Sequence, residues 1–178
     1  SRKRDLTLTS DNAGFYNATI RDKRVEQYLN KHPQHYLYCE WLVPHSIKYY
    51  NDNAWQHFYI FDVFEWDGER GRYMSYDEYV PLLEEFELPY IPNLAVIEEP
   101  SAEQLIEIMK NNHYLVPEDK IGEGIVIKNY DYKNRYGRRT WAKILTEDFR
   151  KNKKENRKSA AEIYAKSDEK FEVICLKY

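Results

Sequence analysis

Cysteine is almost absent from this 178-residue chain: Cys39 and Cys175 stand far apart. Such a pair builds no disulfide framework and lacks metal-ligand spacing, which leads us to expect a reduced, intracellular (cytoplasmic) protein. No apolar run is long enough to span a bilayer and no signal peptide is visible, so no membrane partner is expected. Charge of one sign is not in large excess either. With 27 basic and 30 acidic residues the net charge is −3, and the chain as a whole is no polycation. Internal repeats and low-complexity segments are missing. The chain begins at Ser1 rather than at a methionine, so further residues upstream are expected.

What is present suits one domain, or one domain with a small appendage. Hydrophobic residues make up 42% of the chain, enough for a sizeable core. Tyrosine is plentiful, with 17 copies, and serves either at wet core edges or in stacking on bases. The near-neutral average conceals segregated charge. Between Asp62 and Glu123 the only cations are Arg70, Arg72, Lys110 and Lys120. From Lys133 to Lys158 bases dominate, among them Arg135, Arg138, Arg139, Lys143, Arg150, Lys151, Lys153, Lys154 and Arg157. This stretch is either a solvated face or a surface that holds nucleic-acid phosphates.

Local patterns predict the elements. Arg4 to Ile20 reads as a weak strand followed by a turn at Asp11-Asn12-Ala13-Gly14, and Arg21 to Lys31 as a helix ended by Pro33. His35 to Val43 and His57 to Trp66 are rich in strand formers. Asp67-Gly68 with Gly71 turns the second of these into a strand over Arg72-Met74. Ser75 caps a helix over Tyr76 to Phe86, with a kink or late start expected at Pro81. Leu88 to Pro92 reads as a short strand. Ser101 and Gln104 form a capping box for Ala102 to Asn112, whose apolar face is Leu105, Ile108 and Met109. Strands follow at Gly124 to Lys128 and Trp141 to Leu145, then a basic helix over Phe149 to Lys166 and a last strand over Phe171 to Leu176. The expected class is α+β, with largely antiparallel sheets and flanking helices.

Four stretches stand in a telling order: Tyr38-Cys39-Glu40-Trp41-Leu42, Phe58-Tyr59-Ile60-Phe61-Asp62-Val63-Phe64, Glu123-Gly124-Ile125-Val126-Ile127-Lys128 and Trp141-Ala142-Lys143-Ile144-Leu145. Together they resemble motifs III, IIIa, IV and V of the covalent nucleotidyltransferases, which comprise DNA ligases, RNA ligases and mRNA capping enzymes. The aromatic second stretch, and Leu88-Pro89-Tyr90-Ile91-Pro92 ahead of a capped helix, are most similar to ATP-dependent RNA ligases. The resemblance covers the chain to about Phe149. It implies a nucleotidyltransferase domain of ATP-grasp-like ligase type over residues 1–149. Residues 150–178 then belong to the same domain or begin a C-terminal appendage.

In such enzymes a lysine attacks the α-phosphate of ATP, the resulting AMP passes to a 5′-phosphate, and a 3′-hydroxyl displaces it. The resemblance implies catalytic roles for Glu40, Glu123 and Lys143, with Glu40 and Glu123 also holding Mg²⁺ or Mn²⁺ through hard oxygen ligands. Nucleotide (ATP, then AMP) would be held by Phe61, stacking on adenine, and by Asp62, Lys128 and Arg2. The residues themselves leave alternatives open. Glu40 lies inside an apolar strand, where burying even a neutral polar group costs about 2–7 kcal/mol, so a partner is expected unless it faces solvent. Glu123 sits between Gly122 and Gly124, which allows close backbone approach to a ligand. Alternation would put Phe61 on one face with Tyr59 and Val63, and Asp62 on the other with Ile60 and Phe64. Phe61 could equally be core, Asp62 could pair with an arginine, and Lys128 could be a solvated strand end. Trp141 departs from the family pattern, which has a lysine there.

The family's nucleophilic lysine lies in a Lys-x-Asp-Gly-like motif, and no such motif occurs in these 178 residues. Ser1-Arg2 resembles the pair that follows it, which places the lysine upstream of Ser1 by roughly the 20–30 residues of a strand, a turn and a strand. The chain alone is therefore not expected to form the covalent intermediate. The expected partners are RNA or nicked nucleic acid and a nucleotide, bound by a monomer. The alternatives are a non-catalytic nucleotide- or RNA-binding relative and an mRNA capping guanylyltransferase.

Overall fold

The computed structural model of the chain describes residues 5–44, 49–147 and 149–150. Among these residues ten elements follow one another: helices α1 (Phe15–Arg21) and α2 (Lys23–Lys31), strand β1 (His35–Trp41), a single 3₁₀ turn at Asp52–Ala54, strands β2 (Phe58–Trp66) and β3 (Gly71–Tyr73), helices α3 (Tyr76–Glu84) and α4 (Ala102–Lys110), and strands β4 (Gly124–Ile127) and β5 (Ala142–Leu145). The class is α+β with antiparallel sheets, as the sequence predicts. The chain forms two compact units. The first comprises residues 1–43 and 52–94, the second residues 44–51 and 95–178. The basic helix and last strand expected beyond Phe149, and Arg2, lie outside the described residues.

In the first unit, β1, β2 and β3 form a sheet in that order, antiparallel throughout. The Asp67-Gly68 turn works as expected: the Asp67 carboxylate accepts from the backbone N–H groups of Glu69 and Arg70, and Gly68 takes φ +101°. The segment after α3 adds a parallel bridge at Tyr90, with Ile60 N–H donating to Pro89 and Ile91 N–H to Ile60. This bridge replaces the short strand expected over Leu88 to Pro92. On one face of the sheet, Phe58, Ile60 and Val63 pack with Tyr28, Met74, Tyr79, Val80, Leu83 and Leu88 into the core.

Two local expectations change. Residues 15–21 are helical, because Asp11 is a helix cap as well as a turn residue. Its carboxylate accepts from the N–H groups of Tyr16 (2.7 Å) and Asn17 (3.1 Å), donors that a helix start leaves unmet. The alternating Leu6 and Leu8 form no strand, only a bridge between Thr7 and Ser10. Helix α3 starts at Tyr76 and contains Pro81, so there is no late start. Its first turn is secured by Glu78, which accepts from Ser75 N–H at 2.7 Å and from Arg72 at 2.8 Å. Those contacts, Arg72 foremost, hold the Glu78 carboxyl down at about 2.

The buried His35 ties α2 to the sheet. Its Nδ1 lies 2.8 Å from the Tyr28 hydroxyl, and its ring stacks on His32 at 4.8 Å. Burial first, and the neighbouring His32 second, pull the His35 pKa below the ordinary histidine value, so the ring is neutral at neutral pH. Burial alone pushes Tyr28 up to about 12.

The second unit holds α4, capped by Ser101 and Gln104 as expected, and the antiparallel ribbon β4–β5. Residues 44–51 join it through the N–H of Asn51 donating to Leu115 and the Tyr49 hydroxyl donating to Ile121. Among the described residues no helix is long and apolar enough to cross a membrane.

Candidate functional site

The first unit gathers Glu40, Phe61 and Asp62 on neighbouring strands. Along β1 the side chains alternate: His35, Leu37, Cys39 and Trp41 face inward, Tyr36, Tyr38 and Glu40 outward. Glu40 is exposed, the solvent-facing one of the two alternatives that its apolar neighbours leave open. Sequence neighbours of a strand residue lie on the opposite face, so Cys39 and Trp41 carry the apolar burial while Glu40 stays at the surface. The Glu40 charge is felt by Cys39 all the same. Burial first, and Glu40 second, push that thiol up to about 11, which makes it a poor nucleophile.

A β-bulge overturns the expected alternation in β2. Tyr59 pairs with Glu40 and Ile60 with Cys39, but Tyr38 pairs with Asp62, leaving Phe61 as the inserted residue. Beyond the bulge the phase is reversed. Asp62 and Phe64 lie opposite Tyr38 and Tyr36, on the face of Glu40 and Tyr59, while Val63 joins Ile60 on the core face. Asp62 therefore does not share a face with Ile60, nor Phe61 with Val63. The bulge sets Phe61 and Asp62 side by side, with Phe61 half-buried and Asp62 only 2% exposed. The hydroxyl of the buried Tyr79 donates to the Phe61 carbonyl at 3.2 Å, which fixes the bulged backbone from below. Around the carboxylates the same face is aromatic: Tyr36 against Phe64, Phe64 against Tyr73, and Tyr73 against Tyr38.

The second unit gathers Glu123, Lys128 and Lys143. Asn112, just beyond α4, clasps the segment on both sides of Glu123. Its carbonyl accepts from Gly122 N–H at 2.8 Å, and its side-chain amide donates to the Gly124 carbonyl at 2.9 Å. The carbonyl of Glu123 itself accepts from Thr146 N–H at 3.0 Å. Glycine is required at 124, where φ is +155° and a Cβ would lie 2.0 Å from the Ile144 carbonyl oxygen. With its backbone so fixed, the Glu123 carboxylate accepts from the Tyr50 hydroxyl at 3.4 Å and lies 3.9 Å from Lys143 Nζ. This ion pair is partly exposed, so it orients the two groups more than it stabilises the fold.

In the ribbon Val126 pairs with Lys143 and Ile127 with Ala142. Alternation therefore puts Lys128, Trp141 and Lys143 on the Val126 face. Lys128 Nζ sits 5.8 Å from the centre of the Trp141 ring, and Tyr130 packs edge-on against the same ring at 5.1 Å. Position 141, where a lysine was expected from the family pattern, thus has the cation of Lys128 beside its indole.

Tyr50 and Asn112 escaped the sequence reading. Tyr50 lies 73 residues from the carboxylate it meets. Asn112 shows no pattern beyond its place at a helix end. The described residues contain no cluster of three or more His, Cys, Asp or Glu able to cage a metal. Carboxylates offered singly, as Glu123 and Glu40 are, suit Mg²⁺, which is usually bound through one or two carboxylates together with substrate phosphates and water.

A family model described as RNA ligase matches residues 1–145 of the chain. No curated protein matches it, and no solved structure does.

Proposed function

Because the chain belongs to the RNA ligase family, we propose that it carries the nucleotide- and end-joining residues of an ATP-dependent enzyme that seals 5′-phosphate to 3′-hydroxyl RNA ends. The observation that supports this most is the rigid presentation of Glu123 between Tyr50 and Lys143, with Lys128 on the same ribbon. A carboxylate whose backbone is fixed on both sides, next to the cation of Lys143 and with that of Lys128 further along the same ribbon, suits a bound triphosphate: cations for the phosphate oxygens, an anion for a divalent metal. On the first unit, the bulged Phe61 offers a ring for adenine, with Asp62 and Glu40 beside it for polar contacts. The role of Arg2 in holding nucleotide rests on the motif resemblance alone.

In this reading a lysine nitrogen bonds to the α-phosphorus of ATP as the bond to the β-phosphate oxygen breaks and pyrophosphate leaves. The AMP group passes to the 5′-phosphate of RNA, and the 3′-hydroxyl oxygen then displaces AMP to form the phosphodiester. Lys143 and Lys128 would neutralise phosphate charge, and Glu123 would hold Mg²⁺ or Mn²⁺, which supplies further charge neutralisation when bound; a metal-holding role for Glu40 rests on the motif resemblance alone.

Nucleotide choice tests the proposal. The protein as its gene encodes it, incubated with Mg²⁺ and either ATP or GTP labelled at the α-phosphate, should retain acid-labile label from ATP only. Label from GTP alone would assign it to capping chemistry, and label from neither would favour a non-catalytic relative.

A further inference from the structure

The segment joining β4 to β5, residues 128–141, is built from two side-chain-secured turns. Two asparagines shape it. The Asn129 side-chain oxygen accepts from the N–H groups of Asp131 and Tyr132 at 2.9 and 3.0 Å. The Asn134 side-chain oxygen accepts from those of Tyr136 and Arg138, each at 3.0 Å, and Asn134 N–H donates to the Arg138 carbonyl. Gly137 completes the second turn at φ +71°.

The two turns hold aromatic rings out to solvent. Tyr132 is 52% exposed and Tyr136 69%. The Arg135 guanidinium lies 4.7 Å from the centre of the Tyr136 ring and donates to its hydroxyl, which stiffens the ring while leaving most of it open. Lys133 and Arg135 stand between the rings and Arg138 just beyond them, all exposed. Among the described residues none of these three meets a carboxylate within ion-pair distance, whereas Lys23, Arg24, Lys31 and Arg72 all do. Asp131 is the only acid in the segment.

Exposed rings interleaved with uncompensated cations fit a polyanion that also offers flat apolar faces. A duplex hides its bases in the stack, and an acidic protein surface offers no regular array of rings. A single strand offers both. We propose that residues 128–141 are a docking element for single-stranded RNA, with bases stacking on Tyr132 and Tyr136 and phosphates meeting Lys133, Arg135 and Arg138. This rests on the ligase reading for its choice of RNA. It adds where the strand is held, and implies that sequence preference there is weak, since stacking is tolerant of base identity.

The test is fluorescence anisotropy of a labelled twelve-nucleotide RNA titrated with the 178-residue chain, its Tyr132→Ala and Tyr136→Ala variants, and an Arg135→Gln/Arg138→Gln double variant. Transfer of AMP from ATP is read in parallel on the encoded protein carrying the same changes. Each tyrosine variant should bind about five- to 150-fold more weakly, the range of base–aromatic stacking. The arginine variant should bind more weakly and flatten the salt dependence by about 0.7 in log–log slope per lost phosphate contact. AMP transfer should be unchanged in all. Tyrosine variants that bind RNA like the wild type would overturn the proposal, as would equal loss of binding to heparin, which has charge but no bases. If AMP transfer persists in either case, only the docking element fails. A wild type that neither binds RNA nor accepts AMP would sink the ligase reading with it.

Discussion

Replacing Glu123 by alanine is expected to reduce AMP transfer from ATP by about a hundredfold or more, the usual cost of removing one preorganised group that stabilises charge in a transition state. The loss should be chemical rather than structural. The backbone around Glu123 is held by Asn112 and Thr146, and neither contact uses the carboxylate. Among the described residues the side chain contributes a long hydrogen bond from Tyr50 and a partly exposed ion pair with Lys143, so thermal stability should change by less than about 1 kcal/mol. Glu123→Gln sharpens the test. It keeps an oxygen for Tyr50 but no charge for a cation, so it should resemble alanine in AMP transfer. If Glu123 acts through a metal, the glutamine variant should also need more Mg²⁺ to reach half its maximal labelling. Labelling at wild-type level in either variant would remove Glu123 from the site.

The largest effect on stability is expected at Gly124. An alanine there would place its Cβ 2.0 Å from the Ile144 carbonyl oxygen and 2.9 Å from the Leu145 Cα, both backbone atoms of the paired strand. Backbone atoms cannot swing aside as the end of a side chain can, so β4 and β5 must separate locally. Backbone strain of about 1–3 kcal/mol and overpacking of about 1–3 kcal/mol add to roughly 2–6 kcal/mol of lost stability in the second unit. Urea unfolding of Gly124→Ala, followed by the fluorescence of Trp141 in a chain whose other tryptophans are replaced by phenylalanine, measures it. A change below about 0.5 kcal/mol, the scale of an ordinary surface substitution, would contradict the close approach of the two strands. Gly68 is the control: its φ is also positive, but nothing lies within 4 Å of an added Cβ, so its alanine variant pays only for the backbone.

Much of the fold was legible because short-range chemistry decides it. Ser75 with Glu78 and Ser101 with Gln104 announce two helix starts, and Asp67-Gly68 announces the β2–β3 turn. The apolar run Ile125-Val126-Ile127 announces β4. Signals with two local meanings misled. Asp11 to Gly14 is a turn, but one whose aspartate caps α1. The face on which Glu40 lies follows from the phase of β1, which an apolar neighbourhood does not reveal. The bulge at Phe61 was not legible, since it is set by pairing with β1 and by the Tyr79 hydroxyl beneath it, and both partners lie far off in sequence. The surroundings of Glu123 divide in the same way. Its flanking glycines mark it in the sequence, whereas Tyr50 and Asn112 reach it only through the fold.

End joining itself is the most direct test of the central claim. A single-stranded RNA with a radiolabelled 5′-phosphate and a free 3′-hydroxyl is incubated with the encoded protein, ATP and Mg²⁺ or Mn²⁺. The label should become resistant to phosphatase as a phosphodiester forms, with adenylylated RNA appearing transiently, and GTP should not replace ATP. Label that stays phosphatase-sensitive with either metal, even when pre-adenylylated RNA is supplied, would contradict the assignment of this chain to an end-joining enzyme.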